Sequence, residues 1–293
     1  MLDQIAQVRS FNRAVTQVVG ALNDHYLGRD RPLAECRLIF EIGEAGAEVG
    51  QLRARLDLDS GYASRLLRSL EQQGLATTER GSSDRRVRRS VLTRAGLEEL
   101  AELDKRSNRL AASILEPLND AQRRRLVDAM VEVERLLTAS AVRTDEVTPN
   151  CRDAQYCLAQ YFRELGERFE RGFDPAQSLA PTLDGFEPPR GTFLVMRLHG
   201  EPVGCGGFKP EDGGAAYIKR MWISGNARGL GLGRRMLHEL EARARALGYQ
   251  MMRLETEKSL TEAQQLYRSS GYREVARFND ELYAHHWFEK QLD

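Results

Sequence analysis

The spacing of apolar residues divides the chain into a helical first part and a mixed second part. Apolar side chains recur at helical intervals from Ile5 to Leu22. Further helices are predicted near 35–45, 50–56, 60–73, 94–115 and 120–137. A hairpin is predicted between them, with strands at 76–80 and 86–92 about the polar tip Gly81–Asp84. The first part is therefore expected to be mainly α-helical with one short hairpin.

The pattern changes after a polar segment from Thr138 to Asn150. Beyond it a helix is followed by short strands that alternate with helices, as in an α/β domain, and a first strand is expected within Ala141–Val147. At 293 residues the chain is long enough for two cores. We expect two domains, residues 1–139 and 140–293.

Composition limits the classes of function. Charge is balanced, with 43 basic and 43 acidic residues, so any surface for nucleic acid must be local. The four cysteines form no C-x-x-C pair, which argues against a zinc or redox motif and fits a reducing compartment. We see no signal peptide and no apolar run of transmembrane length. The expectation is a soluble cytoplasmic protein without a metal or a membrane partner.

Basic residues concentrate between Arg53 and Arg94, a segment that contains ten arginines and only five acidic residues. In the helix 60–73, an apolar stripe is predicted to be buried, and Arg65 and Arg68 project together from another face. The stripe consists of Ala63, Leu66, Leu67 and Leu70. Arginines also crowd the hairpin that follows. This local excess is typical of a surface that binds double-stranded DNA.

The order of these elements describes a winged helix-turn-helix, and the segment resembles the MarR family of transcription regulators. The resemblance is carried by 61–71, Gly74-Leu75, 84–86 and 92–96. It implies a homodimer formed through the terminal helices, with Arg86 in the minor groove and Asp84 orienting the wing. The residues expected to contact DNA are Ser60, Tyr62, Ser64, Arg65, Arg68, Asp84, Arg85, Arg86 and Arg88. Alternatively, the apolar faces of the terminal helices form intramolecular core.

A glycine-rich turn, 228–233, lies between a strand-like run and a periodic helix. Such a turn directs several N–H groups to one point, and the helix dipole favours an anion there. The third residue after Gly233 is Met236, which excludes a Rossmann fingerprint, and Gly233-Arg234-Arg235 excludes a Walker loop. The turn therefore predicts a phosphorylated cofactor of another kind.

The pattern Arg-x-x-Gly-x-Gly resembles the pyrophosphate-binding signature of the GNAT acyltransferases. Residues 217–223 resemble the fourth strand of that fold, 254–256 the fifth, and 263–267 the helix after it. The resemblance implies an α/β mixed-sheet GNAT domain, acetyl-CoA as cosubstrate, and pantetheine bound between the two splayed strands. The residues expected to bind the cofactor are Met221, Trp222, Ile223, Arg228, Gly229, Leu230, Gly231, Leu232, Gly233 and Arg234.

The same resemblance implies two catalytic residues. Tyr267 is expected to protonate the departing thiolate, and Glu255 to take the proton of the amine, directly or through water. Tyr267 as a core tyrosine and Glu255 as an exposed strand carboxylate are the structural alternatives, and Glu257 is the nearest substitute base. One departure from the family pattern is Leu260, where the family often has an Asn that contacts the cofactor. Ser259 and Thr261 are the alternative residues for that contact.

An acceptor pocket is expected from the helix near 156–171, the loop 172–181 and the C-terminal strands. Its expected aromatic walls are Tyr161, Phe162, Phe173, Tyr283 and Trp287. The amine, a small molecule or a protein lysine or N-terminus, is not identified by the sequence. We interpret the chain as a bifunctional MarR-type regulator and acetyl-CoA-dependent N-acetyltransferase. Two alternatives are a pure regulator that senses acetyl-CoA or another ligand, and an enzyme whose helix-turn-helix only dimerises.

Overall fold

The computed structural model describes residues 1–21, 25–80, 88–179, 182–211 and 213–292. They form two compact units, Met1–Met130 and Val131–Asp293. The division falls inside a long helix, Asp120–Ala141, so the predicted domain boundary at 139/140 stays a prediction. Within the described ranges, no helix is long and apolar enough to cross a membrane.

The first unit is helical with a small three-stranded sheet. Its elements are α1 (Leu2–Val18), α2 (Leu33–Ile42), β1 (Ala47–Glu48), α3 (Val49–Leu56), α4 (Ser60–Gln72), β2 (Ala76–Arg80), β3 (Arg88–Leu92), α5 (Arg94–Leu115) and the start of α6 (Asp120–Ala141). The strands pair antiparallel in the order β1–β3–β2. The helices and the hairpin agree with the prediction, whereas β1 has two residues and is too short to show an alternating pattern.

The core of the first unit is built around α4. Ala63, Leu66, Leu67 and Leu70 are all buried, which confirms the predicted stripe. The three leucines pack in one cluster with residues of α2, among them Ile39. Asp59 begins the helix by accepting a hydrogen bond from the Tyr62 N–H at 2.9 Å, an N-cap. These contacts fix the orientation of α4 and leave its polar face outside.

The second unit is a seven-stranded sheet with helices on both faces. Its remaining elements are β4 (Arg143–Glu146), α7 (Arg152–Arg168), β5 (Thr192–Leu198), β6 (Glu201–Pro210), β7 (Ala216–Ile223), α8 (Leu232–Ala246), β8 (Met251–Thr256), α9 (Thr261–Ser269), β9 (Arg273–Val275) and β10 (His286–Gln291). The strand order is β4–β5–β6–β7–β8–β10–β9. The predicted alternation of strands and helices begins only after β7, because β5, β6 and β7 form an antiparallel meander.

Successive residues of β5 serve the two faces of this sheet, as the period of a strand requires. Leu194 and Met196 pack in the cluster that contains Met236 of α8. Phe193 and Val195 pack in the cluster that contains Cys157 of α7. Both faces are therefore covered, and this sheet provides a rigid base for the site.

Two irregularities of β7 open the sheet. Its parallel pairing with β8 covers only Ala216–Met252 and Tyr217–Arg253, so the strands separate beyond these pairs. A bulge follows, in which Arg220 adopts φ 62° and the pairing with β6 shifts register. The result is a wedge between the carboxyl ends of β7 and β8, next to the start of α8.

Candidate functional site

The glycine turn begins α8 in the way an anion site requires. Gly229 and Gly231 have φ of 79° and 76°, a left-handed conformation that favours glycine. Gly231 is the N-cap of α8, and no side chain of the described residues caps this helix end. The first N–H groups of α8 are therefore not used by a side-chain cap and are available to a bound anion.

A cavity of about 520 Å³ lies between the turn, β7 and α9. It is lined by most of the residues expected to bind the cofactor, namely Met221, Trp222, Ile223, Arg228, Gly229, Gly231, Leu232, Gly233 and Arg234. Leu230 does not line it, because its side chain packs against the core cluster of the sheet. The structure thus brings nine of these ten residues to one cavity.

Glu164 of α7 organises the charged side of this cavity. The Arg228 guanidinium donates to both Glu164 carboxylate oxygens at 2.6 Å, and the Trp222 indole N–H donates to the same carboxylate at 2.9 Å. Although burial opposes it, hydrogen bonds from Arg228 and Trp222 hold the pKa of Glu164 below its usual range. Glu164 is therefore an anion at neutral pH, and it fixes Arg228 at the rim of the cavity.

A second, smaller cavity of about 90 Å³ contains both expected catalytic residues, Glu255 and Tyr267. Tyr161 and Met221 line this cavity and the larger one, so the two adjoin. Tyr267 is buried, and burial raises its pKa above the usual range of tyrosine. The phenol consequently remains protonated at neutral pH, as a proton donor must.

Glu255 is a buried carboxylate, not an exposed one. Its side chain is 4% exposed, and its Oε1 accepts from the Lys219 ammonium at 2.5 Å. Lys219 also donates to Glu281 Oε2 at 2.8 Å. Although burial opposes it, the charge of Lys219 and hydrogen bonds from Lys219 and Ser178 hold the pKa of Glu281 below its usual range. These groups form a buried ion cluster at the base of the smaller cavity.

The expected acceptor walls divide into two groups. Tyr161, Phe173 and Tyr283 line the smaller cavity. Phe162 stands behind Phe173, with ring centroids 5.7 Å apart. Trp287 points its indole N–H at Asn279 at 2.9 Å instead. Neither Phe162 nor Trp287 is among the described residues that line the smaller cavity.

Residues 257–260, which include Leu260 at the position where the family often has Asn, also lie at the cavities. Glu257, the substitute base, accepts from the Ser259 N–H at 2.6 Å and from its hydroxyl. Leu260 lines both cavities. The hydroxyl of Ser259 is therefore engaged with Glu257 in this structure.

The sequence analysis missed Lys219, Glu281 and Glu164. Lys219 lies in β7 two residues before Met221, and this proximity was the one available signal. Glu281 follows β9 and Glu164 belongs to α7, so only the folded chain brings them to the site. The bulge at Arg220 changes which β7 side chains share a face, and no glycine marks it.

The expected DNA-binding residues of α4 lie on its outer face. Ser60, Tyr62, Arg65 and Arg68 are exposed, and Ser64 is half-buried. The Arg65 guanidinium lies over the Tyr62 ring, 5.5 Å from its centroid. Arg88 is exposed at the start of β3. Asp84, Arg85 and Arg86 lie outside the described residues.

Apolar residues of the terminal helices are also exposed. On α1, Val8 is 58% and Phe11 43% exposed; on α6, Val131 is 59% and Leu137 61% exposed. These positions are not intramolecular core, so that alternative is wrong for them. They are free to be covered by another surface.

Comparisons with known proteins match two separate regions of the chain. Residues 158–272 match the model of the acetyltransferase (GNAT) family, and residues 29–87 match that of the MarR family. An "IAA acetyltransferase" of Azospirillum brasilense is 35% identical over 126 residues, which cover 42% of this chain and 82% of that protein. An uncharacterized N-acetyltransferase of Schizosaccharomyces pombe is 33% identical over 125 residues, covering 41% of this chain and 75% of that protein.

A solved structure of a mutant MarR from E. coli is 19% identical and covers 43% of this chain and 93% of that chain, with a TM-score of 0.39. The assignment rests on the family models and on the two acetyltransferase relatives. A GNAT region implies an acyl-CoA cosubstrate, and a MarR region implies DNA binding. The chain belongs to the GNAT family of acetyltransferases, as an N-acetyltransferase that carries a MarR-family region ahead of its GNAT region.

Proposed function

We propose that this protein transfers an acetyl group directly from acetyl-CoA to an amine and also regulates transcription as a MarR-type DNA-binding dimer. The proposal of acetyl transfer rests on one observation. The cavity at the glycine turn and the cavity of Glu255 and Tyr267 adjoin at Met221 and Tyr161. A cosubstrate in the first would present its thioester to the second.

The described residues fit acetyl-CoA. Two glycines with positive φ and an uncapped helix N-terminus suit a pyrophosphate, and Arg228 and Arg234 add positive charge. The wedge between β7 and β8 suits the extended pantetheine arm. Backbone N–H groups near Met221 would then stabilise the negative charge that develops on the thioester oxygen.

Glu255 and Tyr267 divide the proton transfers of the reaction. Glu255 accepts a proton from the ammonium, directly or through water, which frees the lone pair of the nitrogen. The new C–N bond forms as the C–S bond breaks, and Tyr267 gives its proton to the departing sulfur. The second proton that the nitrogen loses on becoming an amide returns to the Tyr267 phenolate, and Glu255 releases its proton to water. General acid and base groups of this kind contribute roughly 10²–10⁴-fold to a rate.

The regulatory half uses the exposed polar face of α4 and the wing. Phosphates and base edges would be contacted by Ser60, Tyr62, Ser64, Arg65, Arg68 and Arg88, together with Arg85 and Arg86. Asp84 would orient the wing. The exposed apolar residues of α1 and α6 would be covered by a second copy. DNA and acetyl-CoA meet in the cytoplasm, and we propose that location.

Two substitutions separate an enzyme from a sensor that only binds acetyl-CoA. Tyr267→Phe and Glu255→Gln should each lower amine-dependent thiol release by about 100-fold. The Kd of acetyl-CoA, measured by calorimetry, should stay within about twofold, since neither residue lines the larger cavity. Tyr156→Phe on the exposed side of α7 is the control and should change neither quantity. Tight acetyl-CoA binding without thiol release by the wild type would instead support the sensor.

A further inference from the structure

The ion cluster in the smaller cavity leaves two acceptors unused. An ammonium group has three N–H donors, and Lys219 has three acceptors around it. They are Glu255 Oε1 at 2.5 Å, Glu281 Oε2 at 2.8 Å and the Tyr217 hydroxyl at 3.4 Å. Lys219 has no fourth N–H to give to the second oxygen of either carboxylate.

Those second oxygens are buried and unpaired. Glu255 Oε2 and Glu281 Oε1 have no hydrogen-bond partner among the residues that the structure describes. Each side chain is only 4% exposed, and both residues line the cavity. A buried carboxylate oxygen without a donor is costly, so the pair indicates a ligand that brings N–H groups.

The charged residues of the smaller cavity indicate the sign of the charge on that ligand. Three carboxylates line it, Glu255, Glu257 and Glu281, against the two cations Lys219 and Arg220. The excess of one negative charge lies in a buried place where charge is poorly screened. A singly charged ammonium balances it.

Three aromatic residues are shared by the smaller cavity and an outer one. Phe169, Phe173 and Tyr283 line the smaller cavity and also an outer cavity of about 690 Å³. Their ring centroids lie between 4.8 and 5.8 Å apart. The smaller cavity has room for an amine and its first carbons, so the rest of the ligand must lie against these rings, which contact one another and form one aromatic wall. A flat apolar body suits such walls.

The outer cavity does not offer a second site for an ammonium group. Its Glu170 pairs with Lys258 at 3.2 Å. Its Asp174 accepts from the Ala176 N–H and from the Gln177 amide, both at 3.0 Å. Its Glu257 accepts from the Ser259 N–H at 2.6 Å and has the His285 ring 3.6 Å away. All three carboxylates are already engaged, which disfavours a ligand that carries a second positive charge.

We propose that the acceptor is a primary arylalkylamine, a small molecule with one ammonium on a short carbon chain behind an aromatic ring. Its ammonium donates to Glu255 Oε2 and Glu281 Oε1, and its ring lies against the wall formed by Phe169, Phe173 and Tyr283. Glu281 is thereby a specificity-determining residue, while Glu255 takes the proton. This inference rests on the proposed acetyl transfer and names the substrate class of the same site.

The test compares three acceptors with the full chain and saturating acetyl-CoA: 2-phenylethylamine, spermidine and a lysine peptide. The expected kcat/KM for 2-phenylethylamine is at least tenfold above either of the others. Glu281→Gln should raise its KM at least tenfold with kcat within about threefold. The matched control is Asp280→Asn, because this neighbouring carboxylate is 90% exposed and pairs with Arg277. It should leave both constants unchanged.

A preference for spermidine or the peptide overturns the proposal, and so does a folded Glu281→Gln variant with an unchanged KM. If circular dichroism shows that this variant is unfolded, Phe173→Leu decides: a tenfold rise of KM for 2-phenylethylamine supports the proposal, and no change overturns it. If no amine is acetylated, the proposed acetyl transfer is wrong, whether or not the acceptor site binds an arylalkylamine. In that case calorimetry with 2-phenylethylamine tests whether the acceptor site binds this amine, and the absence of heat overturns the proposed site.

Discussion

In the proposed cofactor site, one ion pair between Arg228 and Glu164 has two opposing effects. Two hydrogen bonds of 2.6 Å hold the guanidinium at the cavity rim, where an anionic pyrophosphate would lie. The same carboxylate lines that cavity and repels an anion. Orientation and charge therefore act in opposite directions at this residue.

Replacing the carboxylate should reveal which effect is larger. In Glu164→Gln the amide oxygen still accepts from the Trp222 indole, but the negative charge is gone. We expect acetyl-CoA to bind about fivefold tighter at low salt, a difference of ~1 kcal/mol for one charge removed near a partly exposed site. Calorimetry at two salt concentrations measures it. Weaker binding by the variant would show that orientation of Arg228 dominates.

How far single residues are predictable depends on whether their role is local. The conformation of Gly229 and Gly231 follows from neighbours in the chain, and the turn was interpreted correctly as the start of a helix. Lys219 and Glu281 meet across 62 positions of sequence. Their pairing depends on the path of β7 and on the segment after β9, which no local pattern encodes.

At the scale of elements, the site depends on how a strand, a turn and a helix follow one another. β7 separates from its neighbour β8, the following turn contains two glycines with positive φ, and α8 begins at the cavity, which Gly231, Leu232 and Gly233 line. An alanine at Gly231 would strain the turn, because φ is 76° there, and would place a methyl group beside the anion site.

Gly231→Ala is expected to raise the Kd of acetyl-CoA at least tenfold, since the backbone can no longer approach a pyrophosphate in this conformation. The loss of stability should be modest, about 1 kcal/mol, because nothing in the described chain lies within 4 Å of the added carbon. Gly225→Ala is the control, as that position is also open and its φ is not in the left-handed region. Equal affinities for the two variants would remove the turn from the cofactor site.

Element types were largely predictable from apolar periodicity, because long amphipathic helices such as α4 and α5 carry the pattern over many turns. The departures are short or irregular. β1 spans two residues, and the bulge of β7 places a non-glycine residue, Arg220, at φ 62°. The meander of β5 to β7 was read as alternating with helices, since buried strands and helix segments share short apolar runs.

At the scale of the whole chain, a net charge of zero conceals a local excess of arginine around α4 and the wing. If this face binds DNA, its arginines displace counterions and make affinity depend on salt. Arg65 lies on the exposed face of α4, and its guanidinium is placed over the Tyr62 ring.

Arg65→Ala should weaken binding to a DNA site selected from a random pool by about tenfold or more. If Arg65 contacts phosphate, the slope of log K against log salt should fall by about one. Fluorescence anisotropy at several salt concentrations measures both. Arg37→Ala, whose side chain is exposed on α2 and pairs with Glu41, is the control. If Arg65→Ala changes neither the affinity nor the salt slope, the result supports the alternative in which the helix-turn-helix serves only to dimerise.

Acetyl transfer itself is measured directly by mass spectrometry, as the appearance of an N-acetylated amine when the full chain is mixed with acetyl-CoA and a panel of amines. We predict product that accumulates in step with free coenzyme A thiol and depends on enzyme, amine and Tyr267. Saturating acetyl-CoA binding with no acetylated product from any amine would show instead that the protein binds the cosubstrate without transferring its acetyl group.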